Sequence, residues 1–145
     1  MDRNRYLIDL SESKRTDFGR VDFAKQSEVQ KVFSAVWEIE SQVNNGGFDQ
    51  YFRNSDSEVI CFAPTALITI GATACAKIVE SAIRLISPLP ATQEGRCDAL
   101  DSLSQTQQEM LESADTEFFE YPDDLTTLLF AYVARHTEAF GPIPE

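Results

Sequence analysis

The chain is short of the residues that most often carry chemistry. It has a single histidine, one tryptophan, two methionines and three cysteines in 145 residues. Cys61, Cys75 and Cys97 are an odd number at long spacings, which excludes a disulfide framework, and no CxxC pair is present to hold zinc. His136 has no Glu-x-x-His partner, so a di-metal carboxylate bundle lacks its ligands. No Gly-x-Ser-x-Gly elbow appears, and Gly46-Gly47 is not followed by the Lys and Ser/Thr of a phosphate-binding loop. Cys61 and Cys75 lie in an uncharged stretch and read as inert core thiols. An enzyme is therefore not expected, and neither is a metal or other cofactor.

Positive charge is scarce as well. Acids outnumber bases 24 to 12, for a formal net charge of -12. Such a surface repels phosphate, which argues against direct binding of nucleic acid and against attachment to anionic lipid through basic residues. The excess is not evenly spread. Residues 1–90 carry twelve acids and ten bases, whereas residues 91–145 carry twelve acids against Arg96 and Arg135 alone. An asymmetry of this kind points to an interaction surface.

Long apolar runs are missing too. The eighteen uncharged residues from Val59 to Ala76 include Pro64, Gly71 and three threonines. With Pro64 placed at a first helical turn, the stretch reads as a buried core helix and not a membrane span. No apolar run near Met1 suggests a secretory signal, so the expected location is the cytoplasm.

What remains is helical periodicity. Val29, Val32, Phe33, Val36 and Val43 recur at three-and-four spacing from a Ser27 N-cap, and Asn45-Gly46-Gly47 stops that helix. A short helix through Phe48, Tyr51 and Phe52 follows, then a central helix from Pro64 to Ile86. Glu94 to Glu120 keeps one phase, as a single long helix or two nearly collinear ones, with Leu100, Leu103, Met110, Leu111, Ala114 and Phe118 on one arc. A last helix, capped by Asp123 or Asp124, carries Leu125, Leu129, Val133, His136 and Phe140. The expectation is an all-α bundle of five or six helices over 27–145, with 1–26 as an N-terminal arm that packs on it through residues such as Tyr6, Leu7, Leu10 and Phe18.

Two features stand out. The first is Asn44-Asn45-Gly46-Gly47-Phe48-Asp49-Gln50-Tyr51-Phe52-Arg53-Asn54, read as a sharp helix-to-helix corner. Phe48, Tyr51 and Phe52 would anchor it, while Asn44, Asn45, Gln50 and Asn54 bond backbone groups that the turn frees. The alternative is an amide-rich ligand site. The second is a stripe of carboxylates. On a helical projection Glu94, Asp98, Asp101, Glu109, Glu112 and Glu120 share one arc, flanked by Asp115 and Glu117. Arg96, the one base in the segment, projects to the other side. Asp123, Asp124, Glu138 and Glu145 would extend the surface. A solvated helix face normally mixes lysine and arginine with glutamate, so uncompensated acids cost a little stability and suggest another use. A solvated face and a functional face both stay open.

The run from Trp37 to Val43 followed by NNGGFDQYFRN resembles the hallmark of a bacterial family of small acidic helical proteins. This is the DNA-mimic protein C-terminal domain family, formerly a domain of unknown function, and the similarity extends over about Phe33 to Phe140. The resemblance implies an all-helical domain without known catalytic residues. It also implies, for at least one member, an acidic surface that stands in for DNA on a DNA-binding protein. The hallmark string maps to the corner and not to the acidic stripe, so that role has to be weighed on the stripe itself. The expected partner is then a basic protein such as a transcription factor, a nucleoid protein or, for an immunity-like inhibitor, a nuclease. A homodimer is also compatible with the sequence. A small-molecule or peptide binder using the corner, through Gln50, Asn54 and Tyr51, is the rival from another class.

Overall fold

A computed structural model describes residues 2–12 and 21–143. Among them are eight α-helices and no strand: α1 (Arg3–Ser11), α2 (Glu28–Asn54), α3 (Ser57–Thr69), α4 (Thr73–Arg84), α5 (Gln93–Asp101), α6 (Gln105–Phe119), α7 (Leu125–Ala134) and α8 (Thr137–Phe140). A 3-10 turn at Phe23–Lys25 precedes α2. The all-helical class holds. The count exceeds five or six because the first residues contain a helix and two of the expected helices are broken.

The first break corrects the reading of Pro64. Helix α3 begins at Ser57, so Pro64 lies inside it, and the helix ends at Thr69, just before Gly71. Gly71 has φ of 92°, and the Ala72 and Gly71 N–H groups donate back to the Leu67 and Ile68 carbonyls. This is a glycine-terminated helix end, in which the left-handed residue lets the last carbonyls find donors. Its signal, a glycine inside a hydrophobic run, was present in the sequence. The second break comes after Ala134. His136 lies in the connection to α8 and not on the apolar stripe of one long helix; its Nδ1 is 3.1 Å from Glu138 Oε1 and its ring packs on Tyr132.

Helix starts follow local chemistry. Ser27 and Ser104 each accept from the N–H three residues on while Gln30 and Gln107 reach back, forming two capping boxes. The Ser104 box is what divides α5 from α6. Asp124 caps α7 through the Thr127 N–H. Helix α4 has no capping side chain of its own at Ala72; instead Asp123 Oδ2 accepts the Cys75 N–H at 2.8 Å from across the fold.

Helix α2 is the spine, packed against α3, α5, α6, α7 and α8. Phe33, Phe48, Tyr51, Phe52, Leu67 and Phe118 are among the largest buried side chains of one hydrophobic cluster. Helix α1 buries Tyr6, Leu7 and Leu10 and packs on α7, where Arg3 and Tyr6 both meet the Phe130 ring. Phe18, also placed on the expected N-terminal arm, lies outside the described residues. Cys75 is buried, and burial together with nearby Asp123 pushes its thiol up to about 12. Cys61 corrects its expectation, because the outer side of α3 leaves it exposed.

Candidate functional site

The corner is real. Within α2, Gly46 and Gly47 leave helical geometry, and Gly47 takes φ of 73°, dividing the helix into two arms. Phe48, Tyr51 and Phe52 are fully buried beneath it. The amides behave differently from expectation. Asn44 donates to the Tyr121 hydroxyl at 3.0 Å, Asn45 to Gln50 Oε1 at 3.1 Å, and Gln50 to Gln42 Oε1 at 2.9 Å. Asn54 also reaches Gln42 Oε1, at 3.4 Å. Among the described residues these amides bond other side chains, Asn44 the Tyr121 hydroxyl and the rest one another or Gln42, and not the freed backbone.

The backbone group at the second arm's start is taken by a residue from far along the chain. Asp115, on α6, accepts the Phe48 N–H at 2.7 Å. A Cβ on Gly47 would come within 2.5 Å of the same carboxylate, so glycine is needed for both its conformation and its lack of bulk. Burial raises the Asp115 pKa above the ordinary carboxylate value; the Phe48 N–H opposes the rise, and the charges of Asp49 and Glu112 add to it.

Those three acids belong to one place. A cleft of about 430 Å³ opens between the second arm of α2 and the α5–α6 pair. Its walls include Asp49, Asp101, Glu112 and Asp115 around Arg53, over Leu100, Leu103 and Leu111. Arg53 holds Asp49 at 2.9 Å and Asp101 at 2.8 Å. The corner and the acidic stripe, separate features in the sequence, thus meet here. Asp49 was missed as an acidic-site residue because it sits inside the corner string; its only local signal is the i,i+4 spacing to Arg53.

Next to the cleft, Glu109, Glu112 and Glu117 line a shallow hollow on α6 with Ser113 and Thr116. Glu112 borders both depressions. Glu94 and Asp98 on α5, and Glu120 at the end of α6, are exposed but line neither. Among the described residues Asp101 is the one carboxylate of the predicted set with an ion-pair partner. Asp123 and Asp124 serve as caps, Glu138 sits by His136, and Glu145 lies outside the described residues.

Arg96 does not offset the acids. It is 3 % exposed and turned inward, as its projection predicts. Its Nε and Nη2 donate to the Phe52 and Ser55 carbonyls at 2.8 Å each, and Nη1 to those of Pro90 and Ala91 at 3.2 Å. The guanidinium closes the open end of α2 and ties the loop before α5 to it, a use of cationic donors suited to a helix C-terminus.

Tyr51 cannot serve as a polar contact at the corner surface. Its hydroxyl is buried, without a hydrogen-bond partner among the described residues, and burial raises its pKa, with Glu38 and Cys61 adding smaller contributions.

No helix among the described residues is long and apolar enough to cross a membrane. No curated protein and no solved structure matches the chain. The family described as DMP19-like protein has a model that matches residues 24–136, spanning the corner, the cleft and all of α7. With these residues matched, the chain belongs to the DMP19-like family, a DNA-mimic family.

Proposed function

We propose that the chain is a non-enzymatic binding module whose acidic α5–α6 surface engages a basic protein that otherwise holds DNA. Family membership supports the reading, and one observation carries it. Of the eight carboxylates placed on or at the end of α5 and α6, Asp101 alone is paired with a cation among the described residues, while Glu109, Glu112 and Glu117 gather on one exposed stretch. Keeping like charges together costs stability, and a cationic partner recovers that cost on docking. The carboxylates would occupy places that phosphates take in the partner's groove, so that DNA and this chain exclude each other. Approach would be accelerated by the long-range field of a chain with net charge -12.

The corner supports a binding role of its own less well. Its amides already bond other side chains, Asn44 the Tyr121 hydroxyl and Asn45 and Gln50 other amides, and Tyr51 is inside the core.

The test is a pull-down from the native host on the immobilised chain, eluted by a salt gradient, followed by competition between the captured protein's DNA and the chain. Joint replacement of Glu109, Glu112 and Glu117 by glutamine should abolish capture with the fold intact by circular dichroism. Undiminished capture by that triple variant overturns the reading.

A further inference from the structure

We propose that the groove between α4 and α6 seats an apolar side chain of a basic amphipathic helix, so that the partner is held by an anchor as well as by charge. The inference rests on the acidic surface being the docking face. Five large apolar side chains are exposed among the described residues, and three of them, Met110, Phe119 and Tyr121, belong to α6 or directly follow it. Met110 is the most open of these, at 54 %, although the sequence periodicity sets it on the same apolar arc as Leu111 and Ala114. The arc is wider than the core it covers. An ordinary solvated helix face would be polar at that position.

Met110 does not stand on a flat surface. With Ser81 and Ala82 of α4, Leu85 at its C-cap, and Ser113, Ala114 and Glu117 of α6, it lines a groove of about 260 Å³. This is enough for a large aliphatic or aromatic side chain. Glu117 is shared with the hollow that also holds Glu109 and Glu112, so the apolar groove and the carboxylates are adjacent. Phosphate replacement alone calls for no such side chains.

Charge complementarity selects the occupant. A second copy would bring its own Glu109, Glu112 and Glu117 to the contact, each copy carrying a net charge of -12, and the like charges would oppose pairing. A helix with lysine or arginine three and four residues from a leucine-like anchor meets both surfaces at once: the anchor enters beside Met110, and the cations reach Glu109, Glu112 and Glu117.

The experiment uses the full chain and two labelled helical peptides of equal charge. One has leucines at i, i+3, i+4 and i+7 among lysines, and the other has alanine in place of each leucine. Binding is followed by fluorescence anisotropy at low and high salt. The leucine peptide should bind about tenfold more tightly, and should keep that advantage at high salt, where charge is screened. Met110→Ser, a change at an exposed site, should remove the advantage and leave the alanine peptide's affinity unaltered. Equal affinities for the two peptides, or an unaffected M110S variant, overturn the anchor while leaving salt-sensitive binding to support the electrostatic reading. Absence of binding by either peptide at low salt overturns both. A dimer of the unliganded chain that M110S dissociates also overturns the proposal, since the groove would then be a contact between copies.

Discussion

The Asp115 carboxylate accepts the Phe48 backbone N–H at 2.7 Å, capping the second arm of α2 from a helix 67 residues away. A side-chain acceptor at a helix start contributes about 1 kcal/mol. Asp115→Ala should therefore lower stability by about that amount in denaturant titration, while Asp115→Asn, which keeps an acceptor oxygen, should lose much less. Equal losses would show that charge and not the hydrogen bond holds the corner.

Stability should also depend on pH, with a sign that two raised carboxyl groups set. Burial lifts Asp115, helped by Asp49 and Glu112, and burial with nearby Asp124 lifts Glu40. A raised acid binds its proton more readily folded than unfolded, so its contribution is complete below the ordinary values of 3.8 and 4.5 and is lost as pH rises through the raised pKa. Asp124 acts oppositely: the Thr127 N–H and hydroxyl lower its pKa, and its contribution disappears as pH falls through that lowered value. The melting temperature should climb as pH drops from neutrality toward the carboxylate range, then fall below it, and Asp115→Asn should flatten the climb. A melting temperature that declines steadily from neutral pH downward would contradict this assignment.

Arg96 is buried with donors on four carbonyls and, among the described residues, no ion-pair partner. Arg96→Ala would leave the Phe52 and Ser55 carbonyls without these donors, at a cost of about 3 kcal/mol. Lysine, which lacks the planar fork, should recover only part of it. Thermal unfolding of the three proteins checks the order, and a near-neutral R96A would mean that water replaces the guanidinium.

Arg53 is the cation in the acidic cleft, bridging Asp49 and Asp101. Arg53→Gln should shift stability by no more than about 1 kcal/mol, as partly exposed pairs do. It should also strengthen binding of a short oligolysine about threefold at low salt, with the gain vanishing at high salt. Isothermal titration across salt concentrations measures both. Weaker binding by R53Q would show that Arg53 organises the surface instead of offsetting it.

Much of the helical architecture was legible because it is local. The Ser27 cap, the Gly46-Gly47 corner and the apolar phase of α2 and α6 are encoded within a few residues of where they act. Pro64 misled because a proline that starts helices in general here lies within α3, while the stop signal was Gly71. His136 fits the spacing of α7 by number alone; the helix ends two residues earlier. Met110 fits the apolar arc for a similar reason, since periodicity reports a direction around a helix and not how far the neighbouring helices reach.

The sequence by itself determined an all-helical chain with a rigid corner and an acid excess concentrated after residue 90, because helical period, glycine placement and charge are properties of neighbouring residues. Tertiary structure alone decided that Asp115 turns in to cap the corner, that Arg53 reaches Asp101, that Arg96 is spent on carbonyls and that Glu109, Glu112 and Glu117 remain open. Three of these outcomes include contacts between groups more than forty residues apart, and the fourth is what those contacts leave uncovered. A pattern along one helix does not contain the distance to another; only packing α2 against α5 and α6 sets it.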